Sequence, residues 1–591
     1  MQDEPTSATG EVVDSAVAAP MVPRGGGAGI SLILCLFVFL PGLFGLPVGD
    51  REGRFAQASR QMYESVSLPA AQRNPARHGG GLIEPRLQDR SRVGDGPLGH
   101  WIQAASAAAM SGRNPYRDSI WMYRLPSLFA AVFVVMLTRR LGEAMFDKGV
   151  GRLAAVFIAV CPLVAWEARQ ASADMMGLAW IAGAMWGLWG AFEERGLSAR
   201  RAIGFWIAML GGVLTTGLTA LIVIGLAAAM LCFVTRRAGW LRDLRPIGSL
   251  VAIIPVGLWL YAAANRVGTG QLLSAIGRSL VWGDSTTWWP PGVHLFSMPL
   301  LFWPGSLLIA TALIVAWKLG VAARRPSFTS SSTRPSLAAI HPGYLFLTAW
   351  IVPTWIVLEV LPGKSLASAL PIYPALAILG ARALLAAGAG VLPGLQSRLA
   401  QASTFTWLIA GAGLVLGSLG IIVVRLIVWP GSALSTAGAA LISAIAGLIM
   451  FRSLAAGWQS VIKRQYVRAG LAGAAAMVVG CLIVPTIALP RCLGLSSAAM
   501  TELDRIDPSG TRPVATAGYD SDSLVFLTRG RLARIDAANA STWLTQNPTG
   551  ILIRDREAPL EHVKLKELSS AAGLDTSRWR TVRLAIEELE R

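Results

Sequence analysis

Gly49-Asp50-Arg51-Glu52-Gly53-Arg54-Phe55 holds four charged residues directly after an apolar run from about Ala28 to Gly49. An apolar run of roughly 20 residues crosses a bilayer, so the charged segment emerges at a membrane surface. It continues into a long loop carrying Arg73, Arg77, Arg86, Arg90 and Arg92. The basic clusters farther along the chain fall in every second loop and mark the cytoplasmic side, which places this segment on the outer face, where basic residues are scarce. Arginines carried across a membrane imply an anionic ligand at its surface, such as the phosphate of a lipid-linked substrate.

Composition agrees with a membrane-embedded chain. Of the 591 residues, 53% are hydrophobic and 15% charged, with a mean hydropathy of +0.53. That excludes a soluble globule. The net charge of +18 sits mostly in short loops between apolar runs, a topology signal and not a nucleic-acid footprint. Cys35, Cys161, Cys232 and Cys481 fall inside apolar runs and Cys492 just beyond the last, so no disulfide framework or metal cluster is visible. His78, His100, His294, His341 and His562 lack ligand spacing. Neither a metal nor another cofactor is expected.

Apolar runs begin near Ala28, Met122, Gly151, Asp174, Ala202, Leu218, Pro246, Phe296, Tyr344, Ala369, Phe405, Ala433 and Val467. They predict about thirteen crossings. Basic loops around Arg139, Arg200, Arg236, Arg324 and Arg452 then share one side, which makes the N-terminus cytoplasmic and the C-terminus external. Residues 1–27 read as a disordered cytoplasmic tail and residues 28–489 as the membrane domain, its first span being an uncleaved anchor. Residues 50–121 form a large outer loop. Within it, Glu52 to Ser65 and Leu98 to Met110 have helical apolar spacing and predict two helices lying on the membrane. Residues 490–591 predict a small external α/β domain of about 100 residues. Its expected elements are strands at Pro513 to Ala517 and Gly550 to Ile553, a helix near Ser523 to Thr528, and a terminal helix around Arg580 to Glu590.

Several short segments, in this order and sidedness, resemble the bacterial lipid A aminoarabinose transferases. These belong to the protein O-mannosyltransferase-like, type C glycosyltransferases. The segments are Glu52-Gly53-Arg54-Phe55-Ala56-Gln57, Gly99-His100-Trp101-Ile102-Gln103-Ala104 and Tyr123-Arg124-Leu125-Pro126-Ser127. Further along come Arg169 with Ala173-Asp174, Leu370-Pro371-Ile372-Tyr373-Pro374, and Gly518-Tyr519 with Ser523-Leu524-Val525-Phe526. The resemblance implies a type C fold and an inverting glycosyltransferase of the bacterial inner membrane. Its donor would be a polyprenyl (undecaprenyl) phosphate sugar and its acceptor a lipid A-like or other envelope molecule, met at the periplasmic face.

Some positions depart from the family pattern. An acidic residue usual in the family is Arg51 here, and two lysine-bearing turns read Gly94-Asp95-Gly96-Pro97 and Thr215-Thr216-Gly217. The alternative is therefore a catalytically silent relative that binds a polyprenyl lipid or scaffolds the envelope.

Each candidate residue has a plainer reading beside the functional one. Glu52 and Asp50 are the candidate catalytic carboxylates, but acids also settle at helix N-termini. Asp174 is a third candidate, or a simple cap. Arg54, Arg86, Arg92 and Arg169 are candidate donor-phosphate ligands, or solvated loop charges. Lys364 is the one lysine on the outer face of the membrane domain, and reads as a further phosphate ligand or a snorkelling anchor. His100 reads as a packed polar residue.

Overall fold

The computed structural model describes residues 27–193, 197–279, 290–321, 341–361, 365–428, 433–557, 564–575 and 580–590. Helices α1 (Gly27–Phe39), α2 (Asp50–Ser67), α3 (Pro97–Met110) and α4 (Ile120–Met145) open the chain. A short hairpin, β1 (Arg86–Leu87) with β2 (Arg90–Ser91), lies between α2 and α3. Next come α5 (Lys148–Val160), α6 (Pro162–Glu167), α7 (Asp174–Glu193), α8 (Ala199–Thr216), α9 (Leu218–Thr235), α10 (Leu250–Val267) and α11 (Ile309–Gly320). The bundle closes with α12 (Pro342–Val360), α13 (Tyr373–Gly388), α14 (Arg398–Val428), α15 (Ala433–Ile462) and α16 (Tyr466–Ile483).

Among the described residues nine helices are long and apolar enough to cross a bilayer. The other expected crossings, near Ala28, Gly151, Ala202 and Phe296, fall on α1, on α5 interrupted at Pro162, on α8, and on Val293–Leu301 followed by α11. This is a multi-pass membrane protein. Local chemistry sets several boundaries. Asp147 accepts from the amides of Gly149 (2.7 Å) and Val150 (2.9 Å) and caps α5. Gly217, at φ +61°, reverses the chain between α8 and α9 in a conformation that a side chain would oppose.

Burial is uneven in a way that locates the bilayer. Of the most apolar stretch of Leu366–Gly388, 89% is buried, so the element containing α13 is the bundle's centre. For the α14 and α15 stretches the share is 28%, and for the stretch containing α10 it is 11%. Such helices, apolar yet unburied, face lipid.

Both helices expected in the first outer loop are present, as α2 and α3, and Ala58 and Met62 of α2 are buried against the rest of the protein. After α16 the chain runs through a π-turn (Val484–Ala488) and one short helix (Leu489–Cys492) into α17 (Leu495–Ile506) and a five-stranded sheet. Its strands are β3 (Val514–Ala517), β4 (Ala533–Ile535), β5 (Ile551–Asp555), β6 (Leu565–Asp575) and β7 (Arg580–Leu589), in the order β4-β3-β5-β7-β6. β3 pairs in parallel with β4 and β5, and α18 (Asp522–Leu527) makes the β3–β4 crossover. The two strands and the helix expected inside this tail are present as β3, β5 and α18.

The expected terminal helix is a strand. β7 lies between β5 and β6, antiparallel to both. Val582, Leu584 and Ile586 alternate into the core, and Glu587 takes two hydrogen bonds from Arg554 at 2.8 and 3.0 Å. Burial on both faces from Leu584 to Glu587 and a position inside the sheet outweigh the helix-forming Glu-Glu-Leu-Glu ending.

Candidate active site at one end of the bundle

Helix α2 carries the charged segment, and at 100° per residue its side chains divide among three surroundings. Glu52, Ala56, Ser59 and Tyr63 turn towards the bundle. Asp50, Gly53, Arg54 and Gln57 turn towards the tail. Arg51 and Phe55 lie between, facing α7 and α3.

On the bundle side, Glu52 and Arg124 form a two-pronged ion pair (Nε to Oε1 2.7 Å, Nη2 to Oε2 2.8 Å) with both side chains fully buried. Arg124 also donates to the carbonyls of Leu43 (2.8 Å) and Leu46 (3.0 Å), and the amide of Ala171 donates to Glu52 Oε1 at 2.9 Å. Both carboxylate oxygens of Glu52 are thus engaged in joining α2 to α4 and to the turn before α7.

On the tail side, Asp50 Oδ1 accepts from Ser521 Oγ (2.7 Å), the Ser523 amide (3.0 Å) and Ser523 Oγ (2.9 Å). Arg54 Nε donates to Asp522 Oδ2 at 2.6 Å, and Arg534 pairs with the other oxygen. Burial pushes the Asp522 carboxyl up, but Arg534 and Arg54 outweigh it and hold the group below its usual value. A Cβ on Gly53 would stand 2.6 Å from Ser523 Cα, so only glycine permits this approach. Phe526 completes the dock, with Tyr123 edge-on at 5.8 Å and the Arg60 guanidinium 3.8 Å over its ring. Arg60 also donates to the Phe526 carbonyl (2.6 Å) and to Asp118 (2.6 Å).

The third side opens on a cavity of about 270 Å³ lined by Gly49, Asp50, Arg51, Glu52, Trp166, Gln170 and Ser172. The Arg51 side chain is 53% exposed and pairs behind the cavity with Glu167 (3.0 Å) and with Asp174. Asp174, then Glu167, raise the Arg51 pKa further against the opposing effect of burial, so it is a permanent cation. Beside it, Phe55 stacks on His100 with ring centroids 4.0 Å apart. The single Ser59 hydroxyl proton has acceptors at Gln103 Oε1 (2.8 Å) and the Phe55 carbonyl (3.0 Å). His100 Nδ1 is hydrogen-bonded to Ser59 Oγ at 2.9 Å. Burial lowers the His100 pKa to about 4, so the ring is neutral.

The candidate residues do not form one cluster. Asp50 and Glu52 line the cavity, and Asp174 supports Arg51. Arg54 belongs to the tail dock, Arg86 pairs with Glu84 at 3.1 Å, and Arg92 pairs with Asp95 at 2.6 Å. Arg169 is buried and donates to the carbonyls of Val38, Pro41 (2.8 Å), Ala165 (2.6 Å) and Cys481 (3.1 Å), tying α1 and α6 to α16. Lys364 lies outside the described residues. Arg51, Arg124 and Glu167 carry interactions that reading the motif alone missed. For Arg51 the available signal was its angular separation from Asp50 and Arg54 on one helix. No group of three or more metal-ligating side chains occurs among the described residues.

Helical spans, two helices in the first outer loop and an α/β tail docked on the first of them make an architecture shared with solved membrane proteins of the type C fold. The apo structure of ArnT from Cupriavidus metallidurans superposes with a TM-score of 0.63 at 16% identity, covering 95% of this chain and 97% of that one. The structure of the same protein bound to undecaprenyl phosphate gives 0.62 at 16% identity over the same shares. The chain has the ArnT fold. The archaeal oligosaccharyltransferase AglB from Archaeoglobus fulgidus, in complex with an inhibitory peptide and a dolichol-phosphate, matches at a TM-score of 0.44 and 11% identity, over 90% of this chain and 69% of that one. No family model and no curated protein matches the sequence.

Proposed function

We propose that this chain is an inverting glycosyltransferase that moves a sugar from a polyprenyl (undecaprenyl) phosphate carrier to a lipid A-like or other envelope acceptor. The setting would be the bacterial inner membrane, with the N-terminus cytoplasmic and the tail periplasmic. The observation that carries the reading is the cavity at the end of the bundle, lined by one half-exposed arginine and a carboxylate with a spare oxygen. The ArnT fold, seen with undecaprenyl phosphate in that protein, supports the same class of donor.

The chemistry follows from the charges. The acceptor oxygen attacks the anomeric carbon from the face opposite the phosphate. The carbon–oxygen bond to phosphate breaks, and the bonding pair leaves with the polyprenyl phosphate. Arg51 would neutralise that leaving dianion, with Glu167 and Asp174 fixing its orientation. Asp50 would take the acceptor's proton: three hydrogen bonds hold Oδ1, and no described residue donates to Oδ2. An acceptor that is itself a phosphate needs no such base. Glu52, with both oxygens committed to Arg124 and Ala171, would position α2.

The test is turnover of radiolabelled undecaprenyl phosphate sugars by the purified protein with envelope lipids. Arg51→Met should lower kcat by about 10²–10³-fold, the effect of deleting one charge-stabilising group, and Arg51→Lys should recover part of it. Carrier binding without turnover in the unaltered protein would instead establish the silent relative.

A further inference from the structure

Arg425 sits one turn from the end of α14, at the end of the bundle that carries the tail. It is only 6% exposed, and its Nε and Nη1 atoms are buried with no hydrogen-bond partner. The neighbouring Ile421 carbonyl is approached by the Cys492 thiol at 3.9 Å, from the short helix that follows the π-turn. The sequence adds a second, independent observation. Between Glu359 and Glu502 there is no acidic residue, so neither the last spans nor the turn beside Arg425 can supply a counter-charge.

Two guanidinium nitrogens buried without partners are costly, which a fold tolerates where an anion arrives from elsewhere. On α14 the side chains around Arg425 indicate the direction of arrival. Ile421, one turn before Arg425 on the same side of the helix, is 38% exposed and the adjoining Val424 47%, and both are apolar, so this flank of the helix end faces acyl chains and not water. An anion reaching it from that side is a lipid head group. Basic pockets between membrane helices hold phosphates in this way, and the planar fork of Arg suits two phosphate oxygens.

We propose that Arg425 anchors a lipid-phosphate site at the junction of α14 with the turn leading into the tail, separate from the cavity at Arg51. The bound lipid would brace the turn that carries the tail, as a structural ligand. The chemistry it recognises, a phosphate ester on an acyl or prenyl chain, is shared by anionic phospholipids and by the polyprenyl phosphate carrier.

The full-length protein is placed in nanodiscs of phosphatidylcholine, with either phosphatidylglycerol or undecaprenyl phosphate added, and retained lipid is counted by native mass spectrometry alongside the melting temperature. Arg425→Met should bind the added lipid about tenfold or more weakly than the unaltered protein, and should lose the stabilisation that lipid confers. Arg425→Lys, which keeps a point charge but not the fork, should fall between them and serves alone if the Met variant does not fold. A dependence on Arg425 seen with phosphatidylglycerol identifies bulk phospholipid as the ligand. One seen only with undecaprenyl phosphate identifies the carrier. Equal lipid retention and equal stabilisation in the unaltered and substituted proteins, with both lipids, would overturn the proposal.

Discussion

Glu52 and Arg124 are both fully buried and satisfy each other at 2.7 and 2.8 Å. Removing one partner leaves a buried charge alone, which costs about 3–5 kcal/mol. Arg124→Met and Glu52→Gln should therefore lower the melting temperature and the yield of folded protein. The double substitution should cost less than the sum of the two, and additive losses would show that the pair is not coupled. His100 makes a separate prediction at the same scale. Its folded pKa of about 4 lies below the ordinary 6.5, so the unfolded chain binds a proton over that window and the folded one does not. Stability is then complete above pH 6.5 and falls, by up to about 3 kcal/mol, as the pH drops towards 4. Melting curves should show this loss, and His100→Gln should flatten it.

α2 behaves as a strut held on two sides. Its bundle face is locked by Arg124 and its tail face by the Asp50, Gly53 and Arg54 contacts, so the cavity face takes its geometry from both. Gly53→Val places a branched side chain against the Ser523 backbone, and should push α18 off the helix. Limited proteolysis should then cut the chain near residues 489–495 at least about tenfold faster, the change expected if docking loses about 1.4 kcal/mol. An unchanged cleavage rate would show that α2 is not the tail's seat. Acidity is a poor tool for undocking. Asp522 is held below its usual value by Arg534 and Arg54, so its contribution is complete above about pH 4 and is lost only as the pH falls through its lowered pKa. The same view explains why the segment's many charges did not reveal the site. Helical rotation sends adjacent charged residues to the bundle, the tail and the cavity.

Across the whole molecule, the apolar runs, the two outer-loop helices and the presence of an α/β tail were legible in the sequence. Hydropathy is a local property, and a bilayer leaves the backbone little besides a helix to form. The fate of residues 580–590 was not legible. Charged and apolar residues there suit a helix in isolation, and only pairing with β5 and β6 makes the segment a strand. Arg54, Arg86, Arg92 and Arg169 likewise read as one basic group along the chain, but the fold gives each its own partner. By itself the sequence determined that the chain is embedded in a membrane, where the helices begin, and which short outer segment deserves scrutiny, because each depends on residues close together in the chain. Only the tertiary structure decided that Arg51, and not Arg54, stands over the cavity. That choice rests on Asp174, Glu167 and the tail domain, more than a hundred residues away, converging on a single helix.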